Sequence, residues 1–405
     1  MTKNYRIHRA WFVCAGTTLL LFTSVGIICN AFTIFQPYII QRGHLTEGQG
    51  SLLITTRVAS TLLSTMVCVR YYRIVGLRKG MVLALLPGTL SMILYAVSTG
   101  FSGCCTAAAL AGVTCGLCCI IPATILVERW FSNCRGLALG ICSSGTGGAA
   151  VVGPPLIQAL ISRFGTSFAL LCIAIFFVVS GIVSYMLIRD NPSEMNLSPY
   201  GSKQVLEKKN VPILEKSQTK PMFLLLPAAF FLAASGGPAL GHMGVYLSSE
   251  GYPAELAAWM VSSIGLTMTF GKCILGSTAD RLGNRRACLI FGSALVIGQI
   301  MECLIPLHFL EVSVIGLLIS GLGMSMCTVG IPILTRTLCG SNKEALGRTQ
   351  SAHIAGSLCL SPLPGIIADY FGSYQPAYIL FAGMTLAAVV LILAAFWIYT
   401  DQKQF

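Results

Sequence analysis

Long apolar blocks alternate with short polar stretches along almost the whole chain of 405 residues. A helix that spans a bilayer needs about 20 mainly apolar residues, and twelve blocks meet that requirement. Their approximate bounds are 11–40, 51–70, 80–98, 102–127, 136–161, 167–188, 222–248, 255–279, 287–305, 312–335, 349–368 and 376–399. The pattern predicts an all-α membrane protein with twelve transmembrane helices.

The longest polar stretch separates the sixth block from the seventh. It covers about 189–221 and shows no apolar periodicity. We expect it to be a cytoplasmic linker between two six-helix bundles, residues 1–188 and 222–405. Because the number of predicted helices is even, both termini should face the same side of the membrane.

The distribution of positive charge predicts the orientation. Of the 26 Lys and Arg residues, 22 lie in loops and termini on the N-terminal side, and only Arg42 and Arg163 lie in loops on the other side. The remaining two, Arg57 and Lys272, fall inside helices. Cytoplasmic loops collect Lys and Arg. We therefore expect cytoplasmic termini and a location in the plasma (inner) membrane.

Composition excludes most other classes of protein. Hydrophobic residues make up 55% of the chain and charged residues 10%, whereas soluble domains carry about 25% charged residues. The net charge of +12 is explained by topology, so we expect no nucleic-acid partner. No nucleotide loop or catalytic constellation is present, so we expect neither an enzyme nor a cofactor. Cys115-x-x-Cys118 has no second pair of cysteines and no nearby histidine to complete a metal site, so we expect no metal.

The two halves repeat each other at a constant offset of 207 residues. Each matched position has the same place in its half, which indicates a parallel repeat with a pseudo-twofold axis along the membrane normal. Transporters built in this way bind substrate near the bilayer midplane between the halves and expose it alternately to the two sides. The matched pairs include Gly76 and Gly283, Arg129 and Arg336, and Phe164-Gly165 and Phe371-Gly372.

The stretch from Gly276 to Arg286 resembles the signature loop of the major facilitator superfamily. The resemblance implies the twelve-helix fold of that family and a latch that holds two helices in one conformation. Asp280 can pair with arginines or a helix N-terminus, and Gly283 makes the tight turn. In the first half, Arg73 stands where an aspartate is expected. The expected latch residues are Gly76, Arg78, Gly276, Asp280, Arg281, Gly283, Arg285 and Arg286.

A second stretch narrows the resemblance to one branch of the superfamily. Arg129-Trp130-Phe131 and Gly153-Pro154-Pro155, in predicted helices 4 and 5, are similar to the oxalate/formate antiporters and monocarboxylate transporters. The resemblance implies a small carboxylate as substrate. Lys272 stands where these transporters keep a cation, usually arginine, at this spacing before the helix 8 aspartate.

Two cations are predicted near the middle of the membrane. Arg57 lies about six residues inside helix 2, and Lys272 lies eight residues before Asp280 in helix 8. A charge at that depth costs about 2.5–3.5 kcal/mol on insertion scales, so it should face a polar cavity or a partner. An anionic substrate could be that partner. Each cation could instead neutralise a helix C-terminus, snorkel, or pair with Glu302.

Four further residues are expected in the substrate site. His353 in helix 11 stands in roughly the region where the oxalate antiporter keeps a lysine, and it would make the site titratable. His242 follows the Gly236-Gly237-Pro238 kink of helix 7, where it could serve as a gate. Asn30 and Phe35 belong to a polar and aromatic stripe on helix 1. The alternative for His353 is a hydrogen bond to a neighbouring helix, and the alternative for the helix 1 stripe is aromatic packing or an interfacial belt.

The sequence favours a secondary carrier for a small organic anion, a mono- or dicarboxylate, that works by alternating access. Coupling would be by antiport or by proton symport, so the expected partners are the anion, protons or a counter-anion, and the lipid bilayer. We expect a monomer. The alternative is an exporter of multiple drugs or cationic compounds with the same fold, which would require an acid inside the membrane.

Overall fold

The computed structural model describes residues 8–31, 35–43, 45, 47–201, 220–340 and 342–401. The regular secondary structure of these residues is helical, apart from an isolated bridge between Phe131 and Tyr200. The chain separates into two compact units, Met1–Pro212 and Ile213–Phe405. Each unit contributes six of the helical spans, here numbered 1 to 12 in chain order.

The first unit holds helices 1 to 6, of which 1, 3 and 4 are irregular. Helix 1 continues as a π-helix, and helices 3 and 4 are each interrupted by two residues. A short additional helix, Gln36–Arg42, lies between helices 1 and 2. The bounds are Arg9–Leu21 with the π-helix Phe22–Ala31 (helix 1), Glu47–Val75 (2), Leu77–Leu83 and Leu86–Val97 (3), Phe101–Leu117 and Ile120–Trp130 (4), Arg135–Phe164 (5) and Thr166–Leu187 (6).

The second unit holds helices 7 to 12, and helices 7, 10 and 11 are interrupted. A 3₁₀ turn breaks helix 7, and a π-helix lies within helix 10. The bounds are Lys220–Leu232, Ala233–Ser235 and Gly237–Ser249 (helix 7), Ala254–Leu282 (8), Asn284–Glu302 (9), Leu310–Gly323, Met326–Gly330 and Ile331–Cys339 (10), Lys343–Leu360 and Leu363–Phe371 (11) and Gln375–Asp401 (12).

Ten of the helical spans in the described residues are long and apolar enough to cross a membrane. Helices 8 and 9 are not among these ten. Helix 8 carries Lys272 and Asp280, and helix 9 begins with Arg285 and Arg286 and ends with Glu302. These charges lower the mean hydropathy of the two helices without changing their length.

The helix boundaries repeat at the offset found in the sequence. Helix 2, Glu47–Val75, and helix 8, Ala254–Leu282, both have 29 residues. Each is followed by a glycine with positive φ, Gly76 at 83° and Gly283 at 88°, where a residue with a Cβ would be strained. The packing repeats as well, because helices 2 and 4, 1 and 5, and 3 and 6 pair in the first unit as helices 8 and 10, 7 and 11, and 9 and 12 do in the second.

Several apolar blocks that were predicted as continuous helices are interrupted. Helix 4 breaks at Cys118 and Cys119, because the ring of Pro122 leaves no room for the hydrogen bond back to residue 118. Helix 11 breaks at Ser361 and Pro362 for a similar reason. Hydropathy does not register the interruptions, since every residue involved is apolar or small.

The first part of the predicted linker packs against the first unit. The backbone N–H of Tyr200 donates to the Trp130 carbonyl at 2.8 Å, and the Ser132 N–H donates back to the Tyr200 carbonyl at 2.9 Å. Residues 192–195 form a 3₁₀ turn. The rest of the predicted linker, 202–219, lies outside the described residues.

Candidate functional site

Arg57 lies where helices 1, 2 and 4 of the first unit meet. Its side chain is half-buried, and Nη1 donates a hydrogen bond to the Cys29 Sγ at 2.8 Å. The Cys29 Sγ lies in turn 3.6 Å from the Cys115 Sγ of helix 4. Cys29 belongs to the π-helix that ends helix 1. The guanidinium is thus held by the Cys29 sulfur where helix 1 departs from α-helical geometry.

Two glycines bring helix 4 against the backbone of helix 2 beside Arg57. A Cβ at Gly112 would collide with the Arg57 carbonyl oxygen, and a Cβ at Gly116 would lie 2.5 Å from the Thr61 carbonyl oxygen. Small residues spaced four apart allow membrane helices to approach closely. The depth of Arg57 is therefore set by backbone packing as well as by its own side chain.

Lys272 occupies the corresponding region of the second unit. Its side chain is 1% exposed, and its ammonium lies near the thiols of Cys273 and Cys327. Cys327 belongs to the π-helix within helix 10, and its Sγ lies 3.4 Å from the Ser235 Oγ in the 3₁₀ turn of helix 7. Lys272 is thus placed near irregular segments of helices 7 and 10, whereas Arg57 lies beside the π-helix of helix 1.

The two cations lie equally far from the middle of their helices, on opposite sides of it. Thr61 is the middle residue of helix 2, and Met268 is the middle residue of helix 8. Arg57 and Lys272 each lie four residues from that middle, which is about 6 Å at 1.5 Å per residue. Arg57 is displaced toward the start of its helix and Lys272 toward the end. Both therefore lie in the central part of a membrane-spanning helix.

The other predicted substrate residues are distributed over both units. Phe35 is fully buried in the first unit, and the π-helix that positions Cys29 also contains Asn30, whose side chain lies outside the described part. In the second unit, the His242 Nδ1 lies 3.0 Å from the Pro238 carbonyl oxygen. His353 is half-buried, and its Nε2 is enclosed without a hydrogen bond from any described residue.

His353 lies deeper in helix 11 than its sequence position suggested. The helix begins at Lys343 rather than near residue 349, so His353 is ten residues from its start instead of about five. Asn342 caps this earlier start, because its Oδ1 accepts from the backbone N–H groups of Glu344 and Ala345. The polar first turn lies outside the apolar block from which the boundary was predicted.

The loop after helix 2, which was predicted to be a latch, contacts an acid that the motif did not reveal. Gly76 ends helix 2, and the backbone N–H of Arg78 donates to the Asp190 Oδ1 at 2.6 Å. The Arg78 guanidinium donates to the Tyr185 carbonyl and lies 3.9 Å above the Tyr185 ring. Arg129 Nη1 donates to the Asp190 carbonyl at 3.2 Å. Asp190 lies three residues after the end of helix 6 and therefore joins that end to the loop after helix 2.

In the second unit the motif residues surround the turn between helices 8 and 9. Gly276 is buried within helix 8, whereas the other members are exposed at the end of helix 8 and the start of helix 9. Gly283 forms the turn, as predicted. Asn284, the next residue, donates from Nδ2 to the Thr337 Oγ1 at 2.7 Å and so ties helix 9 to helix 10. The exposed members are Asp280, Arg281, Gly283, Arg285 and Arg286.

Sequence reasoning missed several residues with polar roles, above all Glu302. It was predicted near the end of its span, but it is 0% exposed, and neither carboxylate oxygen has a hydrogen bond from a described residue. Cys29 and Asp190 were missed because their partners are 28 and 112 residues away in the chain. One feature of the sequence could have indicated Asp190. It is an acid that follows helix 6, and the predicted topology puts it on the same side of the membrane as the arginines of the loop after helix 2.

Comparison with known proteins agrees with this architecture. The family model described as Major Facilitator Superfamily matches residues 15–343. Monocarboxylate transporter 12 of Rattus norvegicus is 25% identical over 94% of this chain and 85% of its own length. The agnestins efflux protein AgnL12 of Paecilomyces divaricatus is 27% identical over 73% of this chain and 66% of its own length.

Solved structures of FucP, the fucose:proton symporter of E. coli, share the fold. One superposes with a TM-score of 0.73 at 13% identity, covering 96% of this chain and 99% of FucP. Another, in the outward conformation, gives a TM-score of 0.72 at 15% identity with the same coverage. At this level of identity the likeness extends to the twelve-helix fold and not to the substrate.

Proposed function

Because the chain belongs to the major facilitator superfamily and is therefore a membrane transporter, we propose that it carries a small organic anion. The proposed substrate is a mono- or dicarboxylate, moved by alternating access. Coupling is by exchange with a counter-anion or by proton symport. The proposal places the working protein in the plasma membrane as a monomer with cytoplasmic termini.

One observation carries the choice of an anion: each unit places a cation in the central part of a spanning helix. A charge at that depth costs about 2.5–3.5 kcal/mol on insertion scales. The Arg57 guanidinium donates to the sulfur of Cys29 through Nη1, and its other N–H groups would be available to a carboxylate. A charge-assisted hydrogen bond to a carboxylate would offset the cost. The similarity to monocarboxylate transporter 12 supports the same choice.

The proposed roles follow the two-bundle arrangement, residues 1–188 and 222–405 joined by 189–221. Transporters with parallel repeats bind substrate near the midplane where the repeats meet. Arg57, Asn30 and Phe35 would contribute from the first bundle. Lys272, His353 and His242 would contribute from the second. The loops after helices 2 and 8 would act as latches that form in one conformation and break in the other.

A counterflow assay in proteoliposomes tests the proposal. Vesicles are loaded with one unlabelled compound and the entry of the labelled compound is followed, so no ion gradient is needed. The panel contains monocarboxylates, dicarboxylates, neutral sugars and lipophilic cations. We expect counterflow with at least one carboxylate and none with sugars or cations. Counterflow of a neutral sugar alone would overturn the assignment of an anionic substrate.

The second candidate is an exporter of cationic compounds, and the burial of Glu302 favours it. Such an exporter requires an acid inside the membrane, and Glu302 is fully buried at the end of helix 9. The similarity to an agnestins efflux protein agrees with export. The same panel separates the two functions, because counterflow of a lipophilic cation without any carboxylate would establish the exporter.

A further inference from the structure

Three polar side chains of helices 9 and 10 are enclosed without a hydrogen-bond partner among the described residues. Glu302 is the last residue of helix 9, and Gln299 lies one turn before it on the same face. Ser320 lies on helix 10. Their side chains are at most 1% exposed. Neither carboxylate oxygen of Glu302, neither amide atom of Gln299, nor the Ser320 Oγ has a hydrogen-bond partner among the described residues.

The close crossing of helices 9 and 10 brings this group together. Gly298 has no side chain, and a Cβ at that position would lie 2.7 Å from the Ser320 Cβ. Ser320 is therefore pressed against the turn of helix 9 that carries Gln299. The Ser320 hydroxyl lies beside the Glu302 carboxylate, outside hydrogen-bond geometry. We refer to Gln299, Glu302 and Ser320 as the helix 9 polar cluster.

No cation of the described chain compensates Glu302. The titratable groups that face it are the phenols of Tyr246 in helix 7 and Tyr378 in helix 12, and the thiol of Cys303. The Tyr246 hydroxyl donates to the Glu302 backbone carbonyl at 3.4 Å, so it does not reach the carboxylate. On helix 8, the Lys272 ammonium lies instead beside Cys273 and Cys327. The carboxyl thus faces two phenols, a thiol and a hydroxyl.

An ionised carboxylate in such surroundings is costly, because it has lost water without gaining a cation, and the Ser320 hydroxyl beside it can replace only part of that hydration. A bound proton removes the charge. The two other members of the cluster suit a group that changes its protonation state, since an amide and a hydroxyl can each donate or accept a hydrogen bond. They can donate to the carboxylate or accept from the carboxylic acid after side-chain rotation alone.

We propose that the helix 9 polar cluster is a proton-binding site, with Glu302 carrying the proton that accompanies the transported anion. This inference rests on the proposed function and decides its coupling in favour of proton symport. The carboxyl takes a proton from water on one side of the membrane and returns it to water on the other. One proton and one monocarboxylate cross together, and the net charge moved is zero.

The experiment compares Glu302→Gln with the wild type in proteoliposomes that contain a pH-sensitive dye. Glutamine has the shape of the protonated acid but cannot release a proton. We expect the wild type to accumulate the anion in response to a pH gradient and to move protons with it. Glu302→Gln should retain counterflow, which needs no net proton movement. Its gradient-driven accumulation and its dye signal should both fall at least about tenfold.

Two matched variants complete the design. Glu311→Gln removes an exposed acid at the start of helix 10, and it should behave as the wild type. Glu302→Asp keeps a carboxyl and should restore part of the proton movement. A merely structural role of Glu302 would instead reduce counterflow and gradient-driven uptake to the same extent.

The outcomes are separable from those of the proposed function. If no carboxylate gives counterflow in the wild type, the proposed function fails. If counterflow is present but the wild type moves no protons with the anion, the proton site is overturned, and this result needs no variant. Proton movement that persists unchanged in Glu302→Gln overturns it as well.

Discussion

Arg57 and Lys272 are the central cations of two repeated units, and their surroundings differ. Arg57 is half-buried and donates to the Cys29 thiol, whereas Lys272 is almost completely enclosed beside the Cys327 thiol. Each lies near an irregular segment of the first helix of its unit, the π-helix of helix 1 or the 3₁₀ turn of helix 7. The two cations do not occupy matching positions of the repeat, because Arg57 corresponds to Ile264 and Lys272 to Thr65. We expect the two units to contribute unequally to substrate binding, with Lys272 dominant because it is the more desolvated.

The strongest test of this inequality is Lys272→Ala. We expect counterflow of the accepted anion to fall about 100-fold, since a hydrogen bond to a charged group contributes about 1.5–3 kcal/mol and each 1.4 kcal/mol is about tenfold. Lys79→Ala, which removes an exposed lysine, is the control and should transport normally. Normal counterflow by Lys272→Ala, at equal protein in the vesicles, would contradict the role assigned to Lys272.

Arg57→Lys sharpens the comparison by giving both units an ammonium. The charge is kept, but the planar fork that binds a carboxylate at two points is lost. We expect the apparent affinity for the anion to weaken about tenfold, which is about 1.4 kcal/mol, with counterflow at saturation largely kept. A concentration series of the labelled anion measures it. An unchanged affinity would show that only the charge of Arg57 matters.

The predicted latch loop after helix 2 also differs from its counterpart after helix 8, and it provides a test with a smaller expected effect. Asp190→Ala removes the acceptor for the Arg78 backbone N–H, and we expect a loss of about 1 kcal/mol in the free energy of unfolding, the usual effect of losing a helix cap. Thermal unfolding in detergent measures it. Asp190→Asn keeps an acceptor oxygen and should lose less than half as much; equal losses in both variants would mean that the negative charge, rather than the cap, is what matters.

Cys29→Ser has the smallest expected effect. A hydroxyl can accept from the Arg57 guanidinium as the thiol does, so counterflow should stay within about twofold of the wild type. Cys14→Ser is the matched control, because Cys14 pairs with Cys142, away from either cation. A large loss confined to Cys29→Ser would give the thiol a role of its own in transport.

The sequence predicted the features that depend on local pattern. The length of the apolar blocks indicates the spans. The repeated glycines indicate the turns, and helices 2 and 8 do end directly before Gly76 and Gly283. Contacts between distant residues were not predictable. The pairing of Arg78 with Asp190 joins the loop after helix 2 to the end of helix 6. Glu302 stands near the end of a predicted span in the sequence, and its enclosure depends on packing by helices 7, 10 and 12.

The glycine contact between helices 2 and 4 has a mechanical consequence. Gly112 and Gly116 leave no room for a Cβ between the two backbones, so neither helix can slip along the other by one residue without a collision. Helices 2 and 4 must travel as one stiff element whenever the first unit changes shape. The Arg57 carbonyl lies in that contact. Distances from Arg57 to the other helices of the unit would therefore report how those helices move relative to the pair formed by helices 2 and 4.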